Sequence, residues 1–186
     1  MTYNPDIHHR RSIRLQNYDY AAAGAYFVTI CAQGKECLFG AVVDGVMIEN
    51  DAGRMVHSVW SKLSERFTGM ETDVVMVMPN HLHFILFLVG APLVGARSSE
   101  EDQNRAPTRG APTTVGEVVG AFKSLTTHEY TIGVAKSRWP AFPGRLWQRN
   151  YFERVVRNDV ELEKFRDYIL TNPARWAEDD ENPHNR

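Results

Sequence analysis

Two rhythms of apolar and polar positions alternate along the chain. Ala25–Ala32 sets Tyr26, Val28 and Ile30 on one side and Phe27, Thr29 and Cys31 on the other, the period of a strand. Leu38–Val43 and Val46–Glu49 flank Asp44-Gly45, a dipeptide that favours a two-residue hairpin turn. The spacing then becomes helical. With Asn50 or Asp51 as cap, Met55, Val56, Val59, Trp60, Leu63 and Phe67 recur on one face, and Gly69 ends the run. Asp73–Met78 and His81–Val89 predict two further strands, with Pro79-Asn80 as the turn or bulge between them. Thr114-Val-Gly-Glu117 has capping-box form and predicts a helix through about Tyr130, with Val118, Val119, Phe122 and Leu125 inward. A short helix is expected from about Asn150, carrying Tyr151 through Val156. Asn158 caps a last helix that buries Leu162, Phe165 and Ile169, and Asn172-Pro173 stops it. The chain beyond Trp176 is expected to fray.

This order predicts an α+β sandwich, with helices on one face of a mainly antiparallel sheet and a C-terminal helical extension. One domain is expected over residues 1–186, with an N-terminal arm at 1–20, a flexible loop at 90–113 and an acidic tail at 177–186. The loop is rich in Gly, Ala, Pro, Ser and Thr, and too little chain follows it to build a second core. Composition changes this picture little. At 186 residues, 43% hydrophobic and 24% charged, the chain can bury a core without disulfides, and its composition excludes disorder. No apolar run approaches the roughly 18 residues of a membrane span. The N-terminus lacks the apolar stretch of an export signal, and Cys31 and Cys37 form no disulfide framework, so a reducing cytoplasm is the expected compartment.

Charge is more informative in its distribution than in its sum of −2. The stretch Glu178–Arg186 holds four acids against one arginine. From Arg138 to Arg157 there are five arginines and one acid, Glu153, and Arg10, Arg11 and Arg14 cluster near the start. Such local patches set a footprint for phosphate contacts.

Two constellations could carry chemistry. In Met78-Pro-Asn-His-Leu-His-Phe84, residues two apart on a strand share a face, so His81 and His83 stand side by side. Two neighbouring imidazoles bind a divalent cation if a third ligand arrives from elsewhere; otherwise one is a hydrogen-bonded core residue and the other exposed. In Trp147-Gln-Arg-Asn-Tyr-Phe-Glu-Arg-Val-Val-Arg157, Tyr151 lies among Arg149, Arg154 and Arg157. Guanidinium groups favour phenolate and grip phosphate, although a tyrosine here could equally just pack beside Trp147 and Phe152.

Taken together, Met78-Pro-Asn-His-Leu-His83, Trp147-Gln-Arg-Asn-Tyr151 and Tyr168-Ile-Leu-Thr-Asn-Pro-Ala-Arg-Trp176 resemble the single-tyrosine HUH transposases, nearest the REP-associated tyrosine transposases. Arg11–Tyr20, Gly24–Cys31 and Cys37-Leu-Phe-Gly40 also fit, so the resemblance runs from about Arg10 to Trp176 apart from the loop. It implies a ferredoxin-like fold and a divalent metal, Mg2+ or Mn2+, held by His81 and His83. Tyr151 would attack a phosphate of single-stranded DNA, leaving a 5′-phosphotyrosine link and a free 3′-OH. The implied partner is single-stranded or hairpin-forming DNA; the charge pattern, not the motif match, makes Arg10, Arg11, Arg14, Arg149, Arg154 and Arg157 the candidates for its backbone grip, with the protein expected to be a monomer or homodimer. The alternative is a domesticated hairpin-DNA binder with little or no catalysis. Many relatives place a polar metal ligand one helical turn after the tyrosine. Here those positions are Arg154 and Val155, which leaves Glu153, His57, His128 or water to complete the site.

Overall fold

The computed structural model describes residues 23–67, 69–89 and 113–185. Strand β1 (Gly24–Cys31) leads into a hairpin of β2 (Gly40–Val43) and β3 (Val46–Glu49). Helix α1 (Asp51–Ser61), β4 (Met70–Val77), β5 (His81–Leu88), α2 (Val115–Ser137), β6 (Phe152–Val156) and α3 (Asp159–Thr171) follow. The four main strands are ordered β4-β5-β1-β6, and every neighbouring pair is antiparallel. Without the β2–β3 insertion this is the ferredoxin-like βαββαβ order. The α+β expectation therefore holds.

Local signals act where the sequence puts them. Asp44 and Gly45 both take positive φ (50° and 76°), the conformation of a twisted two-residue turn. The Asn50 side chain caps α1 by accepting from the Gly53 N–H, and Thr114 with Glu117 closes the capping box of α2. Helix α1 is shorter than expected, giving way to a 3-10 turn at Leu63–Arg66 that still buries Leu63. Helix α2 runs seven residues beyond Tyr130, because Gly133 leaves room for the Trp139 indole to pack against its last turns.

The segment after Asn150 differs in kind. Phe152–Val156 is a strand paired with β1, not a helix carrying Tyr151. The exposed edge of β1 offers backbone partners, and Phe152, Val155 and Val156 suit a pleated surface, so tertiary pairing decides the conformation. The tail differs too. Pro173–Glu178 and Pro183–Asn185 form 3-10 turns, Asn182 is buried, and Lys35 forms an ion pair with Glu181 at 2.9 Å. Its side chains find partners on the body of the domain, so it does not fray.

Alternation along β1 and β5 sorts the residues between two layers. Tyr26, Val28, Ile30, Leu82, Phe84, Leu86 and Leu88 face α1 and α2 in the principal core with Trp60 and Phe122. Ala25, Phe27 and Ile85 face the C-terminal extension, packing on Ile169 of α3. His81 and His83 share the parity of Ile85, so they stand on the α3 side of the sheet.

Candidate metal centre and nucleophile cavity

Both histidines of β5 are buried, and their Nε2 atoms lie 3.0 Å apart. Their other ring nitrogens are held in place. His83 Nδ1 meets the Thr29 hydroxyl at 2.8 Å, across the β1–β5 pairing. His81 Nδ1 meets Asn80 Oδ1 at 2.8 Å. The Asn80 amide has one orientation, because its Nδ2 donates to the carbonyls of Lys35 and Glu181 at 2.9 and 2.7 Å. Asn80 Oδ1 is therefore an acceptor, His81 carries its proton on Nδ1, and the His81 Nε2 lone pair faces His83. Burial, and then Lys35, pushes the His81 pKa down to about 3. Burial, and then His81, pushes His83 well below its ordinary value. Neutral imidazoles are the ligating form.

Asp179 joins the pair from the tail. Its Oδ2 lies 3.9 Å from His81 Nε2, and ligand atoms of His81, His83 and Asp179 all fall within 4.8 Å of one another. Asn172, at the C-cap of α3, donates from Nδ2 to that carboxylate at 3.2 Å. Its Oδ1 is buried and has no hydrogen-bond partner among the described residues. Metal–ligand bonds of about 2.1 Å at right angles put neighbouring donors about 3.0 Å apart, the separation of the two imidazoles. The donor set of two imidazoles and a carboxylate therefore fits a divalent cation, with the Asn172 amide held against that carboxylate.

The centre opens into a cavity of ≈ 760 Å³ whose lining includes Phe27, His83, Tyr151, Phe152, Tyr168 and Asp179. Tyr168 projects from α3 with its ring centroid 5.2 Å from that of His83. Burial and the nearby Asp179, Asp180 and Glu181 raise its pKa, while Arg175 opposes them. Cys31 also lines the cavity, but burial and Glu181 push its thiol up to about 12, so it stays protonated.

Tyr151 lines the same cavity from another side. It packs against the principal core, and the Lys123 ammonium of α2 lies 5.4 Å from its ring centroid. Lys123 Nζ also donates to the carbonyls of Gln148, Arg149 and Asn150, fixing the approach to β6. Burial lowers its pKa to about 8.

The other expected ligands are not brought to the histidines. His57 pairs with Glu49 at 3.1 Å on α1, and His128 is exposed on α2. Glu153 opposes Val28 in the β1–β6 ladder and so belongs to the other sheet face. Because β6 is a strand and not the expected helix, no residue stands one turn beyond Tyr151. Arg149 is exposed beside the cavity. Arg154 forms an ion pair with Glu161 at 2.6 Å and lies over the Phe165 ring. Arg154, Arg157 and Lys164 line a second, shallower depression that shares Phe165 and Tyr168 with the cavity. Arg10, Arg11 and Arg14 lie outside the described residues, as does nearly all of the 90–113 loop.

Sequence reasoning passed over three residues here. Tyr168 and Asn172 both stand in the closing signature, four apart on a helix, which was the available signal. Asp179 carried none, because nothing local says that an acidic tail folds back on a strand.

No protein-family profile matches the chain. An uncharacterized protein of Haemophilus influenzae is 37% identical over 180 residues, spanning 95% of each chain. A second protein of that organism, described as a putative REP-associated tyrosine transposase, is 23% identical over 87% of this chain and 77% of its own length. Among solved structures, a REP-associated tyrosine transposase bound to a REP hairpin superposes with a TM-score of 0.57 and 17% identity. That likeness covers 89% of this chain and 74% of the other, and it shows a shared fold.

Proposed function

We propose that this chain is a REP-associated tyrosine transposase, as its likeness to proteins so described suggests, and that it cleaves and rejoins single-stranded DNA at hairpin-forming sequences, with Tyr168 as the nucleophile. One observation carries the reading. Tyr168 packs against His83, and one helical turn on stands Asn172, whose buried Oδ1 lacks a partner among the described residues. The polar residue that relatives place one turn beyond the tyrosine, missing after Tyr151, is present after Tyr168.

His81, His83 and Asp179 would hold the cation, with Asn172 positioning the Asp179 carboxylate. When bound, a divalent cation supplies Lewis-acid polarisation of the scissile phosphate. The chain's own residues do the rest. Asn80 holds His81 in the ligating tautomer, Thr29 positions the His83 ring, and helix α3 sets the Tyr168 ring against His83. Tyr168 Oη forms a bond to phosphorus as the P–O3′ bond breaks, and the phenolic proton ends on the departing 3′ oxygen. The reverse reaction on another 5′-linked strand joins DNA without a further energy source, because the ester is retained.

A second reading keeps Tyr151 as nucleophile, favoured by the Lys123 ammonium near its ring. The test is a denaturing gel of protein with end-labelled hairpin DNA carrying single-stranded flanks, with Mn2+ or with EDTA. The expected result is a Mn2+-dependent covalent adduct in wild type and in Tyr151→Phe, absent in Tyr168→Phe. An adduct lost only in Tyr151→Phe supports the second reading. Hairpin binding with no adduct in any form leaves a DNA-binding protein without catalysis.

A further inference from the structure

Among the described residues two aromatic side chains are substantially exposed, Tyr168 at 38% and Phe152 at 47%. Both line the same cavity, and both meet the ring of Phe27 edge-on, at 5.9 and 6.2 Å between centroids. Phe27 in turn stacks on His83 at 5.6 Å with 21° between the planes. An aromatic row thus runs from solvent at Phe152 to the metal centre. Exposing so much of a phenylalanine to water forgoes burial that the sheet could supply, yet edge strand β6 turns this ring outward.

The surroundings say what could cover it. Phe152 has no polar atom, so it contributes contact area alone. The chain leading to it is rigid, because Lys123 binds three successive carbonyls at 148–150. Exposed Arg149 lies three residues before it, Arg154 shares its face of β6 two residues on, and Arg175 lines the same cavity. A flat apolar face set among guanidinium groups suits a base whose own phosphates those groups neutralise.

We propose that Phe152 is a stacking platform for an unpaired base of the DNA strand entering the Tyr168 cavity. This rests on the DNA-cleaving reading above and adds a subsite to it. Stacking tolerates any base, because each has a π face, so the platform grips the strand without reading its sequence.

The test is fluorescence anisotropy with labelled oligo(dT) and with an abasic strand of equal length, using the full chain. Phe152→Ala should weaken oligo(dT) binding roughly ten-fold, while Phe152→Trp keeps it. The abasic strand should bind wild type and Phe152→Ala alike. Phe152→Leu, which keeps the apolar bulk, provides a check if the alanine variant melts early, and it too should bind oligo(dT) weakly. Equal oligo(dT) affinity in wild type and Phe152→Leu, or an equal loss on the abasic strand, overturns the platform. So does a wild type that binds oligo(dT) no better than the abasic strand. Tyr168→Phe separates the two ideas. Normal oligo(dT) binding is expected from it, and a surviving adduct would sink the nucleophile assignment while leaving the platform intact.

Discussion

On the α1–α2 side of the sheet, Leu82, Phe84 and Leu86 of β5 meet Trp60 and Phe122 in a continuous apolar layer, with the Trp60 and Phe84 rings 4.0 Å apart. On the α3 side, the alternate residues of that strand are His81, His83 and Ile85, and the apolar cluster shrinks to a few side chains around Phe27 and Ile169. The covalent spacing of the two sets is identical. They differ in what covers them: two helices, α1 and the 23-residue α2, on one side, and the single helix α3 with an acidic tail on the other. Stability is concentrated in the first layer, which leaves the second able to tolerate buried imidazoles, an orphaned amide oxygen and an open cavity.

Substitutions on opposite faces of β5 and its neighbours should separate these roles. The largest expected effect is on chemistry: His81→Ala with His83→Ala should remove Mn2+-dependent cleavage, measured as adduct yield. Mn2+ should also raise the melting temperature of wild type and not of the double variant. Cleavage with unchanged metal dependence would move the site off β5. Next, Trp60→Ala should cost about 3–5 kcal/mol in denaturant unfolding, because it opens a cavity in the layer that has no chemistry. A loss under about 1 kcal/mol would show that the α1–α2 layer is not the main source of stability. Asn80→Ala should lower metal affinity by roughly ten- to a hundred-fold, by freeing the His81 tautomer, while leaving DNA binding in place. Isothermal titration with Mn2+ reads this directly, and wild-type affinity would refute the outer-shell role. The smallest effect is expected from Glu161→Ala, which removes the ion pair to Arg154 and the acceptor of the Arg157 N–H and should lower the denaturation midpoint far less than Trp60→Ala does.

The sheet was legible because β1 alternates while β4 and β5 are apolar runs rich in β-formers, and the caps at Asn50, Thr114 and Asn158 sit where the sequence places them. The histidine pair was legible for the same reason, since His81 and His83 are two apart on a strand. Strand β6 was not. Five residues between an irregular segment and a helix cap carry too little pattern, and only the free edge of β1 makes them a strand. On a strand Arg154 and Val155 do not stand one turn beyond Tyr151, so the helical spacing that would pair a tyrosine with a ligand is absent there. Asp179 reaches His81 through contacts some hundred residues apart in sequence, such as Asn80 with Glu181, and no local pattern encodes them.

The most direct test of the central claim is to locate the covalent bond. Wild-type protein would be trapped on single-stranded hairpin DNA with Mn2+ and digested with protease and nuclease, and the nucleotide-bearing peptide sequenced by mass spectrometry. The account predicts the phosphate on Tyr168, in the peptide of α3 that also contains Asn172. A phosphate on Tyr151 would contradict it.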